Sequence, residues 1–516
     1  MTPTPRVIVV GGGVGGLVAA ALLSHQGVRV TLLERAASLG GKLRQAEVDR
    51  QAIDVGPTVF TLRPLFEAVF DACGESLAAL LPLRPLPLLA RHAWADGATL
   101  DLPADLEAAV DAIGAFAGAT AAAGYRGYAE RARRIHDALE PTYMRASRPM
   151  PWTLLARAGL RGLPGLAQIA PFARLWDEQQ RWLEHPRLQQ LFGRYATYCG
   201  SSPFEAPATL MLVAHTERLG VWSVDGGMHR VAQALAGIAR ARGAELRCSA
   251  PVARLLVAGG RVRGVKLVGG ERLEADAVIY NGDTAALAQG LLGDELSRSV
   301  PATSPAQRSL SAVTWAGVAR TRGFALDRHG VFFSDDYGAE FRDLRAGRLP
   351  AAPTIYLCTQ DRGAGAPAPD AAGERVFVLV NAPASADQRG LPPEEIEACE
   401  KTTFAHLARC GLQIAWSPQG PQRTTPADFQ ARYPGTGGAL YGRATHGWRA
   451  SFQRPGSASR LPGLYLAGGS VHPGPGLPMA ATSGMLAAQA VLAALAGRTS
   501  TFGWRATATP GGTSTR

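Results

Sequence analysis

The chain has 516 residues, 47% hydrophobic and 18% charged, with a formal net charge of +11. That balance excludes a disordered or collagen-like chain and has room for about three average domains. The charge is almost all arginine, lysine occurring only at Lys42, Lys266 and Lys401, and no long run of like charges exists, so nucleic acid is not expected as a partner.

The first element follows at once. Val7–Val10 is a β-branched run suited to a buried parallel strand, so the N-terminus reads as a strand and not as a signal peptide. Gly11, Gly13 and Gly16 then form GxGxxG ahead of an alanine- and leucine-rich helix that Gly27 closes, and VRVTLLE reads as a second strand ending at Glu34. This is a βαβ unit in the setting that a dinucleotide fingerprint needs. Gly11 permits the tight turn, Gly13 lets the backbone approach a pyrophosphate, and Gly16 lets helix and strand pack closely. The helix N-terminus offers free N–H groups and a positive dipole end to phosphate. Glu34, at the end of the second strand, is placed to accept hydrogen bonds from a ribose hydroxyl pair, and an acid there disfavours NADP.

ERAASLGGKLRQ supplies Gly40, Gly41 and Lys42, and IDVGPTVF supplies Asp54, Gly56 and Pro57. A glycine pair after the ribose acid, with a cation beside it, is what an FAD-binding domain uses to fold a loop over adenosine and pyrophosphate. Lys42 or Arg44 would add charge to the phosphates; the alternative for Lys42 is a solvated loop cation.

Residues 141–176 carry Arg145, Arg148, Arg157, Arg161 and Arg174 and no acid. Leu160, Leu163, Leu166, Ile169, Phe172 and Leu175 recur at helical spacing between Trp152 and Trp176, with Pro164 and Pro171 expected to break the segment. The pattern suits a helix lying in an anionic headgroup layer. The alternative is a buried helix pair with solvated arginines. Further on, Gly226-Gly227 precede a helical pattern that Gly243 stops, and three strand-like runs follow as far as Asp283.

The six cysteines show no CxxC or zinc-type spacing, which points to reduced thiols in a cytoplasmic protein, to no metal site and to no disulfide relay. No run of 18 apolar residues is present, so no spanning helix is expected. Near the C-terminus, Leu464–Ala467 reads as a buried strand, Gly468-Gly469 break it, a glycine- and proline-rich loop runs from Ser470 to Pro478, and Thr482-Ser483-Gly484 lead into an apolar helix ending before Gly497. Strand, glycine loop and helix recur without a second fingerprint, so this is a second contact surface on one cofactor. Residues 498–516 lack periodicity and read as a disordered tail.

VIVVGGGVGGLVAA, LGGKLRQ, DVGPTVF, VWSVDGGMHRVAQALAGIARARGAEL, YPGTGGALYG and GLYLAGGSVHPGPGLPMAATSG together resemble the bacterial carotenoid (phytoene-type) desaturase family. The PMA after HPGPGL is most similar to the 3,4-desaturases of hydroxylated or methoxylated carotenoids. The resemblance implies an α/β fold, in which a Rossmann-type FAD-binding domain of the glutathione-reductase and amine-oxidase kind joins a mixed α+β substrate domain. Residues 1–72, 222–285 and 455–497 would form the former, and 73–221 with 286–454 the latter. It implies non-covalent FAD held by Gly11, Gly13, Val14, Gly15, Gly16, Glu34, Arg35, Gly41, Lys42, Leu43, Gly56, Pro57, Thr58, Val252, Gly468, Gly469, Pro478 and Met479. Val252 would lie against the adenine through its backbone; the alternative is a plain meander that touches no ligand.

The implied reaction is hydride transfer from an allylic carbon to the flavin with proton loss from its neighbour, giving carotenoid desaturation in carotenoid biosynthesis. Phytoene desaturation, polyene isomerisation or saturation, amine oxidation and a non-enzymatic lipid escort are the alternatives. The partners are a carotenoid, an anionic membrane surface and a quinone or oxygen as electron acceptor, with the protein cytoplasmic and peripherally attached to the inner membrane. No catalytic base stands out: His472 and His229 read as structural groups or hydrogen-bond donors.

Overall fold

Val7, Ile8, Val9 and Val10 are all buried, as expected of a strand covered on both faces. The computed structural model describes residues 4–148, 150–363 and 373–497, with the backbone alone at 160, 161, 163, 164 and 166–168; the expected tail at 498–516 lies outside them. Strand β1 (Arg6–Val10) leads through α1 (Val14–His25) to β2 (Arg29–Leu33), and the two strands pair in parallel from Arg6↔Arg29 to Val10↔Leu33. The chain returns much later through α2 (His229–Ala241), β3 (Glu245–Arg247), β4 (Ala277–Tyr280), β5 (Leu464–Leu466) and α3 (Leu477–Leu495). The five strands form one parallel sheet in the order β3-β2-β1-β4-β5. Its core places Leu17, Val18 and Leu23 of α1 with Val231 and Leu235 of α2 and Ala487 and Val491 of α3.

Between β3 and β4, the strands Val252–Ala258, Arg261–Leu267 and Arg272–Glu274 form the expected antiparallel meander. The rest of the chain builds a second sheet, antiparallel except where His329–Phe332 pairs in parallel with Leu88–Ala93. The hairpin Gln45–Val48/Gln51–Asp54 bridges towards it, Ala46, Val48 and Ile53 packing with Ala316, Cys358 and Phe377. Helices Leu106–Ala117, Ala119–Leu139 and Pro151–Gln168 cover the region below that sheet.

Two expectations need correction or qualification. The segment 151–168 does not break at Pro164. It breaks at Gly159, whose φ of 59° and ψ of −177° are open to glycine and strained for other residues. The side chains of Leu160, Arg161, Leu163 and Leu166, on which the helical spacing partly rested, lie outside the described set. Second, α3 is long and apolar enough by composition to cross a membrane, but half of it is buried and it packs along α1. It is a core helix of the nucleotide region. All six cysteines are unpaired.

Candidate functional site

The fingerprint loop is shaped by what a side chain would strike. Gly11 sits at φ 105°, and a Cβ on Gly16 would come 2.2 Å from the Gly11 carbonyl oxygen. A Cβ on Gly15 would come 2.9 Å from the Ala480 carbonyl oxygen of α3. Helix α1 begins at Gly13 with no side-chain cap and no acid in its first turn, so its first N–H groups stay free for an anion. Val14 and Gly15 are the first helical residues behind that opening.

Glu34 is buried, and its carboxylate accepts the Gly12 N–H at 2.7 Å and the Ala36 N–H at 2.8 Å. The acid at the end of β2 therefore ties its own loop to the fingerprint, while each oxygen keeps a further lone pair. The next loop folds back: Gly40 donates to the Gly12 carbonyl at 2.8 Å, and a Cβ on Gly41 would meet the Gly13 Cα at 3.0 Å. Arg35 is exposed and its guanidinium reaches the Arg432 carbonyl at 3.4 Å. Lys42 is not a solvated cation. It is part-buried, donates to the Leu440 carbonyl, and lies 5.1 Å from the Tyr433 ring centroid. Burial holds its pKa below the usual lysine value, with Asp283 opposing. The Leu43 carbonyl accepts from His229 Nδ1 at 2.8 Å, which makes His229 a hydrogen-bond donor.

Gly56 is required by close approach, since a Cβ there would fall 1.9 Å from the Lys42 carbonyl oxygen. Asp54, two residues earlier, accepts the Met228 N–H at 2.6 Å and the His229 N–H at 3.3 Å, capping the start of α2. Gly227 makes room for that carboxylate, its notional Cβ lying 2.7 Å from Asp54 Oδ2. The internal glycine pair thus serves a helix cap. Val252 opens the meander two residues after Ala250; the Ser249 and Ala250 N–H groups bond the Ala36 and Glu34 carbonyls at 2.9 and 2.8 Å.

The C-terminal loop meets the same place. Asn281, just past β4, donates to the Gly11 carbonyl at 3.1 Å, and its Oδ1 is buried with no partner among the described residues. That oxygen faces both Gly15 and Gly468, where added Cβ atoms would come within 2.7 and 3.1 Å. The Gly468 N–H bonds Ser483 Oγ at 2.8 Å, and the Gly469 carbonyl accepts from buried Arg454 at 3.0 Å. Helix α3 starts after Gly476 without a side-chain cap, with Pro478 and Met479 in its first turn. His472 is a structural donor: Nε2 bonds the Tyr143 and Ala146 carbonyls at 3.1 and 3.0 Å, and burial pulls its pKa down to about 4.

A cavity of about 610 Å³ opens from these loops. One part of its wall is Lys42, Gly56–Thr58 and Pro475–Met479; another is Pro151, Leu154, Leu155, Phe172 and Trp448. Within that second part Leu155 and Phe172 are 51% and 75% exposed, Trp152 beside it in sequence is 64% exposed, and Phe172 meets Trp448 edge-on at 5.3 Å. Most of the wall is apolar, and among the described residues its one carboxyl group is Glu217. Tyr195 donates to Glu217 at 2.6 Å, while burial raises the Glu217 pKa above the carboxylate range. Arg194 and Tyr356 share that wall, and the Tyr356 hydroxyl lies 2.5 Å from Thr58 Oγ1.

The sequence reading missed Asn281, Arg454, Arg194 and Glu217. Asn281 had a signal, being one of two asparagines in the chain and sitting where a strand ends. The others had none, because isolated charged residues in helical stretches read as solvated.

The family model for flavin containing amine oxidoreductases matches residues 14–492. The chain is 51% identical over 99% of its length to the hydroxyneurosporene desaturase of Rubrivivax gelatinosus, covering 97% of that protein. It is 28% identical to the 1-hydroxycarotenoid 3,4-desaturase of a Flavobacterium species, over 94% of this chain and 99% of the other. A putrescine oxidase solved with putrescine superposes with a TM-score of 0.58 over 96% of this chain and all of its own, at 15% identity, which speaks for the fold alone. FAD is the cofactor of this family, and the cleft fits it: two uncapped helix N-termini, a buried acid at the end of β2, and an orphaned Asn281 oxygen meet where Cβ atoms would leave no room. The chain is an FAD-dependent oxidoreductase of the flavin containing amine oxidoreductase family and belongs to its bacterial carotenoid desaturase branch.

Proposed function

We propose that the protein 3,4-desaturates a 1-hydroxylated or 1-methoxylated acyclic carotenoid in carotenoid biosynthesis, at the cytoplasmic face of an anionic inner membrane. The observation that carries this reading is the continuous cavity joining the nucleotide loops to an exposed aromatic rim. A long apolar substrate needs such a passage, and the named relatives act on hydroxylated carotenoids.

In this reading Gly11, Gly13, Val14, Gly15 and Gly16 face the pyrophosphate, Glu34 the ribose, and Gly41, Leu43, Gly56, Pro57 and Thr58 the remainder of the nucleotide. Gly468, Gly469, Pro478 and Met479 close it from the other side. Arg35, Lys42 and Val252 are bound to protein groups or lie on the next strand, so they act through the loops they hold. Bound FAD would supply the two-electron oxidation, accepting hydride from the allylic carbon as the neighbouring carbon loses a proton. The chain's own contribution is alignment: the apolar wall holds the polyene within about 3–3.5 Å of the reacting position and excludes water. One fingerprint leaves a quinone or oxygen as the electron acceptor. Residues 1–72, 222–285 and 455–497 form the nucleotide unit in this scheme, with 73–221 and 286–454 as the substrate unit.

Trp152, Leu155 and Phe172 would enter the headgroup layer. Several nearby arginines are engaged with protein, Arg145 with Glu140, Arg148 with the Phe452 carbonyl and Arg157 with Ser147, so the aromatic rim rather than charge is the principal anchor. The test is incubation of the FAD-loaded protein with 1-hydroxylated carotenoid in anionic liposomes. A red shift of the polyene absorption by one conjugated bond is expected; an unchanged spectrum with FAD bound would remove the reading.

A further inference from the structure

Arg194 stands out on the cavity wall. It follows the helix Pro186–Gly193, and its Cζ lies 5.2 Å from the Tyr198 ring centroid and 5.4 Å from that of Tyr356. Among the described residues its hydrogen bonding is confined to the Tyr198 hydroxyl at 3.3 Å, and no carboxylate comes within 4.0 Å. A guanidinium has five N–H donors and does not give up its proton. In an apolar wall such a group needs acceptor oxygens; here the Tyr198 hydroxyl supplies one, the Tyr198 and Tyr356 rings lie against it and the Glu217 carboxylate beyond attracts the charge, so most of its N–H donors still have no acceptor.

Its position narrows the choice of acceptor. The Tyr356 hydroxyl bonds Thr58 Oγ1 at 2.5 Å and His329 Nδ1 at 2.8 Å, so one tyrosine separates Arg194 from the Gly56–Thr58 loop. In a 1-oxygenated carotenoid end, the oxygen-bearing carbon is two bonds from the nearer carbon of a 3,4 double bond, roughly 2.5 Å away at ordinary C–C bond lengths. A group that recognises this oxygen must therefore stand close to the reacting position, and one tyrosine is all that separates Arg194 from the loop that the desaturase reading gives to the nucleotide.

Resting on the desaturase reading above, we propose that Arg194 donates hydrogen bonds to the C1 oxygen of the substrate end and sets the preference for oxygenated over hydrocarbon ends. A pure donor serves a hydroxyl and a methyl ether equally, since both accept. A hydrocarbon end would leave most of the guanidinium N–H donors without an acceptor, which is how a polar site rejects an analogue lacking its partner. Arg194 is thus a specificity-determining residue, apart from the redox chemistry.

The test compares parent, Arg194→Met and Arg194→Lys on two substrates in the same liposomes, a 1-hydroxylated acyclic carotenoid and the hydrocarbon of equal length. The readouts are kcat/KM for each and the bound-FAD absorbance. Arg194→Met is expected to lower the hydroxylated-to-hydrocarbon selectivity ratio by about 10- to 100-fold, chiefly through KM, with Arg194→Lys restoring part of it and FAD retained in both. An unchanged ratio, including an equal fall on both substrates, would overturn the proposal. A parent that holds FAD and desaturates neither substrate would instead overturn the desaturase reading. Loss of FAD from both variants would assign Arg194 a structural role and overturn the proposal as well.

Discussion

Gly484 of α3 lies so close to Gly15 of α1 that a Cβ on Gly484 would come within 2.2 Å of the Gly15 carbonyl oxygen. Residues 469 positions apart are thereby pressed together at the nucleotide cleft. The contact explains why the two glycine-rich ends of the chain serve one cofactor.

Gly484→Ala should force the two helices apart. The expected cost is about 1–3 kcal/mol of stability with reduced FAD retention, as overpacking a rigid backbone contact requires. Urea unfolding and the bound-flavin absorbance check it. A variant as stable as the parent and fully loaded would mean that the helices can separate freely.

Glu34 holds the Gly12 and Ala36 N–H groups, so its loss should be felt even before FAD binds. Glu34→Ala is expected to destabilise the FAD-free protein by about 1–3 kcal/mol and also to weaken FAD binding. Thermal unfolding without FAD separates the first effect, and a flavin titration the second. Unchanged flavin affinity would remove Glu34 from the ribose site.

The His472 imidazole is held to a pKa of about 4 by burial, against an ordinary value of 6.5. The folded state then binds fewer protons than the unfolded state across that interval. Its contribution is complete above about pH 6.5 and is lost as the pH falls towards 4, amounting to roughly 3 kcal/mol at most. Buried His215 and part-buried His446, also held near 4, add to the same slope. Denaturation midpoints measured from pH 7.5 to 4.5 should fall steadily, and less steeply in His472→Asn; identical slopes would show that His472 does not titrate as described.

The rim makes a separate claim. Trp152→Glu combined with Phe172→Glu should lower co-flotation with anionic vesicles by at least about tenfold while bound-FAD absorbance stays constant. Vesicle binding equal to the parent would place the membrane contact elsewhere on the surface.

How far the chain could be read varied with the range of the interaction. Gly11, Gly13 and Gly16 were legible because the strand–turn–helix order around them is local; Gly16 and Gly56 face backbone oxygens at 2.2 and 1.9 Å that leave no room for a side chain, and Gly11 sits at φ 105°. Gly226 and Gly227 were legible as a helix start, but their partner, Asp54, lies more than 170 residues away. The break in residues 151–168 went to Gly159 because its backbone, at φ 59° and ψ −177°, is not helical and is open to glycine. Lys42 read as a cation for the cofactor phosphates, with a solvated loop cation as the alternative, because nothing nearby in sequence shows the Leu440 carbonyl to which it is bonded.

By itself, the sequence determined the βαβ unit, the acid that ends it, the second glycine loop with its helix, and the family. All of these are written in spacing and in the steric demands of single residues. Tertiary structure alone decided that Asn281 joins the two loops, that the cavity runs from them to Leu155 and Phe172, and that Arg194 and Glu217 face its interior. Those contacts join distant segments, and whether a charged side chain meets solvent or a dry wall depends on burial, which periodicity reports only for the face a helix turns inward.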